Sequence, residues 1–136
     1  MAQGIYLRCE VSGVEIIDTL KKEKLSKRIV SVLIKDSQYD ISFDITGMPR
    51  GSIFIKGLKK FTAKDGVFSM GTSDADNFGA RYHNGNNETL TVQSIEISRL
   101  DGFISFEESI QIFRTLSENG FQMSGHCKLS TPKQQF

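Results

Sequence analysis

The chain has 136 residues, 38% of them hydrophobic and 24% charged, the balance of one globular domain spanning residues 1–136 rather than of a disordered chain. Its 17 basic and 16 acidic residues leave a net charge of +1, so no overall field draws it to nucleic acid or to an anionic membrane. No apolar run approaches the ~18 residues of a membrane span, and the N-terminus MAQGIYLRC carries no apolar signal core.

Ile5, Leu7, Cys9 and Val11 share one face of a half-buried first strand. Ser12-Gly13 interrupts it, and Val14 to Ile17 continues after a turn or bulge. Asp18 to Arg28 is dominated by lysine and reads as an exposed loop or strand ends. Ile29 to Lys35 is β-branched and dense, the pattern of a buried strand. After a turn at Asp36-Ser37-Gln38, Tyr39, Ile41, Phe43 and Ile45 alternate with polar residues as a strand with one wet face. Thr46 to Gly51 is a loop around Pro49, Ser52 to Lys56 a short strand, and Gly57 to Phe61 a linking turn.

Asp65-Gly66 turns into a short strand at Val67 to Met70. Gly71 to Gly79 is a polar surface loop, Ala80 to His83 a short strand, and Asn84-Gly85-Asn86-Asn87 a turn. Thr89 to Phe106 is the clearest hairpin in the chain, with Asp101-Gly102 supplying the positive φ of a tight turn. Phe106, Ile110, Phe113 and Leu116 then follow helical spacing, with Ser105 and Glu108 as a capping box and Gly120 as a stop. That spacing predicts a helix over Glu107 to Glu118, against the rival of a strand-loop-strand excursion. Phe121 to Leu129 forms the last strand, and the tail is loose unless Phe136 docks on the body. The class is mainly β: an antiparallel meander barrel, or alternatively a sandwich, of about eight strands with one helix near 107–118.

The run Ile95-Glu96-Ile97-Ser98-Arg99-Leu100-Asp101-Gly102, then Ser124-Gly125-His126-Cys127-Lys128 and a final Phe136, resembles small uncharacterised bacterial β-proteins. Those chains end with an I-x-R-x-x-G hairpin, a G-x-C strand and a terminal aromatic, and many begin with a Cys-bearing strand, as Tyr6-Leu7-Arg8-Cys9 does here. The resemblance covers the first dozen residues and the last forty or so. It implies a fold and an envelope location, and no chemistry.

Cys9 and Cys127 read either as two small apolar residues in a reducing compartment or as one disulfide between the first and last strands. The location follows the same division: periplasmic or secreted if a signal peptide has been removed, cytoplasmic otherwise.

Residues with metal or catalytic chemistry are present but scattered. His83, His126, Cys9, Cys127, Asp74 and Asp76 are metal-ligand types, yet His126 and Cys127 point to opposite faces of one strand, and Asp74-x-Asp76-Asn77 lacks the glycine and distant glutamate of a calcium loop. Cys127 could meet a histidine base only in three dimensions, since the adjacent His126 points to the other face and His83 is far in sequence, and no elbow surrounds Ser124. Asp40, Asp44, Glu107 and Glu108 are the carboxylates from which an acid–base pair could be drawn, and the polar face of a strand already accounts for the first two. Gly47-x-x-x-Gly51 is not a phosphate loop. No metal, cofactor or catalytic set is implied.

The expected function is a non-enzymatic β-barrel accessory or binding protein, its partner a protein or a small apolar ligand in preference to nucleic acid. The alternative is single-stranded nucleic-acid binding through Phe54, Lys56, Lys59, Lys60, Phe61 and Lys64, where aromatics would stack bases and lysines would track phosphates. The simpler account of that patch puts both phenylalanines in the core and uses the lysines to blunt a sheet edge.

Overall fold

A computed structural model describes residues 4–49 and 51–130, and the described residues contain ten strands and no helix. In chain order these are β1 (Gly4–Ile17), β2 (Lys21–Asp36), β3 (Asp40–Met48), β4 (Gly51–Leu58), β5 (Thr62–Lys64), β6 (Val67–Ser73), β7 (Asn77–Gly85), β8 (Thr89–Ser98), β9 (Phe103–Ile112) and β10 (Ser117–Leu129). All pair antiparallel in one sheet with the order β4-β3-β2-β1-β10-β9-β8-β7-β6-β5. The sheet curls until β4 packs over β6 and β7, which makes it a nearly closed barrel. Two glycines permit that closure. A Cβ on Gly57 would lie 2.3 Å from the Met70 carbonyl oxygen, and one on Gly71 would lie 2.6 Å from the Gly57 oxygen, so only bare backbone fits where the strands cross.

The core follows from the two-residue period. Cys9 and Val11, then Val30, Val32 and Ile34, then Ile41, Phe43 and Ile45 are all at most 1% exposed, while their neighbours along each strand face water or lie half-buried. Register carries the pattern across the sheet: Ile34 opposes Phe43, and Phe43 opposes Ile55. On the other side Ile95 opposes Phe106, and Phe106 opposes Met123. These side chains form one cluster that fills the barrel.

The first and last strands meet in the middle of the sheet, with Cys9 directly opposite Cys127 and the sulfurs at 2.03 Å. The Cys127 amide donates to the Gly102 carbonyl at 2.8 Å, so its backbone groups turn away from β1. The cysteines therefore form the close, non-hydrogen-bonded kind of antiparallel pair, in which side chains approach most nearly.

Several expectations need correction. The segment Glu107 to Glu118 is not a helix: it is the second half of β9, a turn at 113–116 and the start of β10. Backbone ladders to β8 on one side and β10 on the other outweigh its helical spacing. Ten strands replace about eight, and Thr62–Lys64 (β5) is an unexpected strand; Asp18 to Arg28 is mostly strand and lengthens β2, and the supposed loop Gly71 to Gly79 is strand on both sides of Asp74–Asp76 and lengthens β6 and β7. Tyr39 does not share the buried face of Ile41; it stands in the turn, 73% exposed. The Ser12-Gly13 interruption is a register shift between Val11 and Gly13, and β1 runs through it. Phe136 lies outside the described residues.

Candidate ligand cleft

The six residues of the basic–aromatic patch do not form one surface. Phe54 and Phe61 are 59% and 62% exposed, so neither is core. Phe54 and Lys56 stand on the outer face of β4, whereas Lys59, Lys60 and Phe61 lie between β4 and β5 and Lys64 ends β5. Strand β6 divides the two aromatics. Ser69 lines a cleft with Phe54, while Phe61 stacks at 4.9 Å on Phe68, the residue beside Ser69 and therefore on the other face. Phe68 in turn meets His83 edge-on at 4.5 Å.

Two of the four lysines are matched internally. Lys56 lies 3.1 Å from Asp40, and Lys59 lies 2.8 Å from Asp36. Asp36 also accepts from the Ser73 hydroxyl at 2.6 Å. This trio ties the end of β2 to β6 and to the β4–β5 link, across the line where the barrel closes. Partial burial works to raise the Asp36 pKa, but the hydrogen bonds from Lys59 and Ser73 outweigh it and hold the carboxyl below its ordinary 3.8. Asp40 is lowered chiefly by the Ser37 hydroxyl and then by Lys56.

A pH dependence follows. A carboxyl depressed in the fold contributes stability that is fully present above its ordinary value and is lost as pH falls through the lower folded value. Asp36 and Asp40 both act in this direction, as do Glu10 beside Lys27 and Asp101 beneath the Phe103 amide. The melting temperature is therefore expected to hold down to about pH 5 and to fall below the ordinary aspartate value of 3.8. In Asp36→Asn the acid-side fall is shallower; an unchanged slope would remove Asp36 from the account.

The cleft beside Phe54 has a volume of ≈ 330 Å³ and is lined by Phe54, Lys56, Leu58, Ser69, Tyr82 and Gln93. Its wall is the outer face of β4, and its floor belongs to β6, β7 and β8. The Leu58 amide donates to the Ser69 hydroxyl at 3.1 Å and pins the far end of the wall. On the floor, Gln93 Nε2 donates to Glu108 Oε2 at 2.7 Å. Such a site can stack a flat face on a ring and exchange hydrogen bonds with an amide, a carboxylate and hydroxyls. A broader concavity of ≈ 900 Å³ on the opposite face of the sheet includes Arg81, Glu96 and Glu107.

The residues considered for catalysis or metal are separated and structurally engaged. Cys127 is joined to Cys9, so its thiol is not available as a nucleophile. His126 meets the Phe103 ring at 5.5 Å, and His83 packs on Phe68. Asp74 Oδ1 accepts from the Asp76 and Asn77 amides at 2.9 and 2.8 Å, which explains that loop as a turn. Glu107 accepts from Gln122 and Ser94, and Glu108 from Gln93. Among the described residues no three His, Cys, Asp or Glu side chains gather as a metal-binding group, and no helix is long and apolar enough to cross a membrane.

Tyr82 and Gln93 were absent from the sequence expectations as site residues. They belong to different strands and reach one cleft only through the pairing of Tyr82 with Gln93. Comparison with protein-family models, curated proteins and solved structures finds no match to this chain.

Proposed function

We propose that the protein is a non-enzymatic binding module that holds its ligand in the cleft between β4 and β6–β8. The observation that carries this reading is Phe54: a large aromatic, 59% exposed, held over a floor that presents Tyr82 and Gln93. Leaving such a ring in water is unfavourable, and a ligand that covers it recovers the apolar contact. A ligand held inside the barrel has little support, because the interior positions are filled by Phe43, Ile34, Ile41, Ile45, Ile55 and Ile104. A cysteine pair at disulfide distance fits an oxidising compartment, which favours a periplasmic or secreted location. The resemblance to small bacterial β-proteins agrees with it.

Single-stranded nucleic-acid binding is the second reading, favoured by the exposure of both Phe54 and Phe61 and weakened by the carboxylates that already match Lys56 and Lys59. A thermal-shift panel of apolar compounds, oligosaccharides, peptides and single-stranded oligonucleotides separates the two. A ligand at a hundred times its Kd stabilises by about 2.7 kcal/mol, enough to raise the melting temperature by several degrees. The expected result is a shift in wild type that Phe54→Ala abolishes. A ligand that stabilises both proteins equally would place the site elsewhere.

A further inference from the structure

The row of side chains that floors the cleft continues across the sheet past β8. Ser69 opposes Tyr82, Tyr82 opposes Gln93, Gln93 opposes Glu108, and Glu108 opposes Phe121. Direct cross-strand partners point to the same face of a sheet, so these five side chains form one row across β6, β7, β8, β9 and β10. The adjacent row inward is Gly71, Ala80, Ile95, Phe106 and Met123, all buried. The floor row is thus the first to emerge from the core, and it lies half-buried along its whole length. Four gaps between neighbouring strands give it a length of about 19 Å. Phe54, Lys56 and Leu58 stand over the β6–β8 end of it.

The chemistry of this trough narrows its occupant. Phe54 and Tyr82 at one end, and Phe121 at the other with its ring edge-on to Phe106 at 5.9 Å, flank the hydrogen-bonded Gln93–Glu108 pair. A polyanion would run onto Glu108, and then onto Glu15 opposite Phe121, while Lys56 is already held by Asp40. A wholly apolar ligand would strip water from Gln93 and Glu108 without replacing it. An extended peptide that binds by strand addition needs a sheet edge, whereas this row is the face of central strands whose backbone groups are committed to ladders on both sides. What remains is a chain with apolar ring faces and hydroxyls that both donate and accept.

We infer that the trough binds a neutral linear oligosaccharide, laid along β4 and across β6 to β10. This rests on the cleft reading and extends it. The test is calorimetric titration of the oxidised full chain with neutral gluco-, manno- and N-acetylgluco-oligosaccharides from disaccharide to hexasaccharide. Wild type, Phe54→Ala, Glu108→Ala and Glu96→Ala are compared after their melting temperatures show that each folds. At least one series is expected to bind, with affinity rising with chain length until the row is filled. Phe54→Ala removes measurable binding, Glu108→Ala weakens it about tenfold, and Glu96→Ala, on the opposite face, leaves it unchanged.

Binding that depends on Phe54 but not on Glu108 would overturn the row and leave the cleft standing. Oligosaccharide binding indifferent to both would overturn the row and the cleft together. No oligosaccharide binding at millimolar concentration overturns the inference outright. If an oligonucleotide or apolar compound then binds in a Phe54-dependent way, the cleft survives with a different ligand.

Discussion

Replacing both Cys9 and Cys127 with alanine lowers the free energy of unfolding by about 4–5 kcal/mol in the chain-entropy account of cross-links. The bridge joins residues 118 apart, so it ties nearly the whole length of the unfolded chain into one loop and removes many of its extended conformations. The native side adds a packing loss, because Cys9 is fully buried in the central cluster. Urea unfolding of the oxidised protein, the reduced protein and the double variant measures the effect. Reduced and alanine forms are expected to unfold at a similar, much lower midpoint. Their steeper dependence on urea would report an unfolded state that exposes more surface once the tie is gone. An unchanged midpoint on reduction would show that the ladder between β1 and β10 holds without the bond.

Phe43→Ala is expected to cost about 3–5 kcal/mol, the range for emptying a buried aromatic site. Phe43 is 0% exposed and stands on β3 between Ile34 of β2 and Ile55 of β4. Strands on both sides are held by ladders and cannot close in on the void, so the cavity term persists. The informative comparison is Phe54→Ala, one strand away. Phe54 is 59% exposed, so its removal is expected to change stability by well under half as much while abolishing ligand-induced stabilisation. Chemical denaturation of the two variants side by side separates an aromatic that builds the barrel from one that serves the cleft. Similar losses in both would make Phe54 a structural residue.

What could be read in advance was local. Ile41, Phe43 and Ile45 alternate with polar neighbours, and all three are buried; Asp101-Gly102 reads as a tight turn, and Gly102 has a φ of 76°. Glu107 to Glu118 was misleading because its apolar spacing fits a helix when taken alone. Within the sheet, Phe106 and Ile110 occupy the same face of β9, while Phe113 and Leu116 lie in the turn that follows. Gly120 does not stop a helix: a Cβ there would fall 2.0 Å from the Glu108 carbonyl oxygen across the ladder. Lys21 to Lys27 turns only Leu25 toward the core, because that stretch of β2 is paired only to β1, β3 beginning its ladder at Ser31. A strand with a single inward apolar residue carries no alternation to detect. The cleft was hidden for a different reason. Tyr82, Gln93, Glu108 and Phe121 are far apart in the chain and unremarkable individually, and only register sets them in a line.

The order of strands has one more consequence. Read from β5 round through β10 and β1 to β4, the sheet is an uninterrupted up-and-down meander whose beginning has been moved to its centre. Of its ladders, only that between β1 and β10 joins strands distant in sequence. A circular permutant opened between β4 and β5, with the original ends linked beside Leu7 and Leu129, would make every ladder a neighbour pairing and lower the contact order of the same barrel. In that arrangement the connection that the cysteines now make through sulfur would be made by the backbone itself.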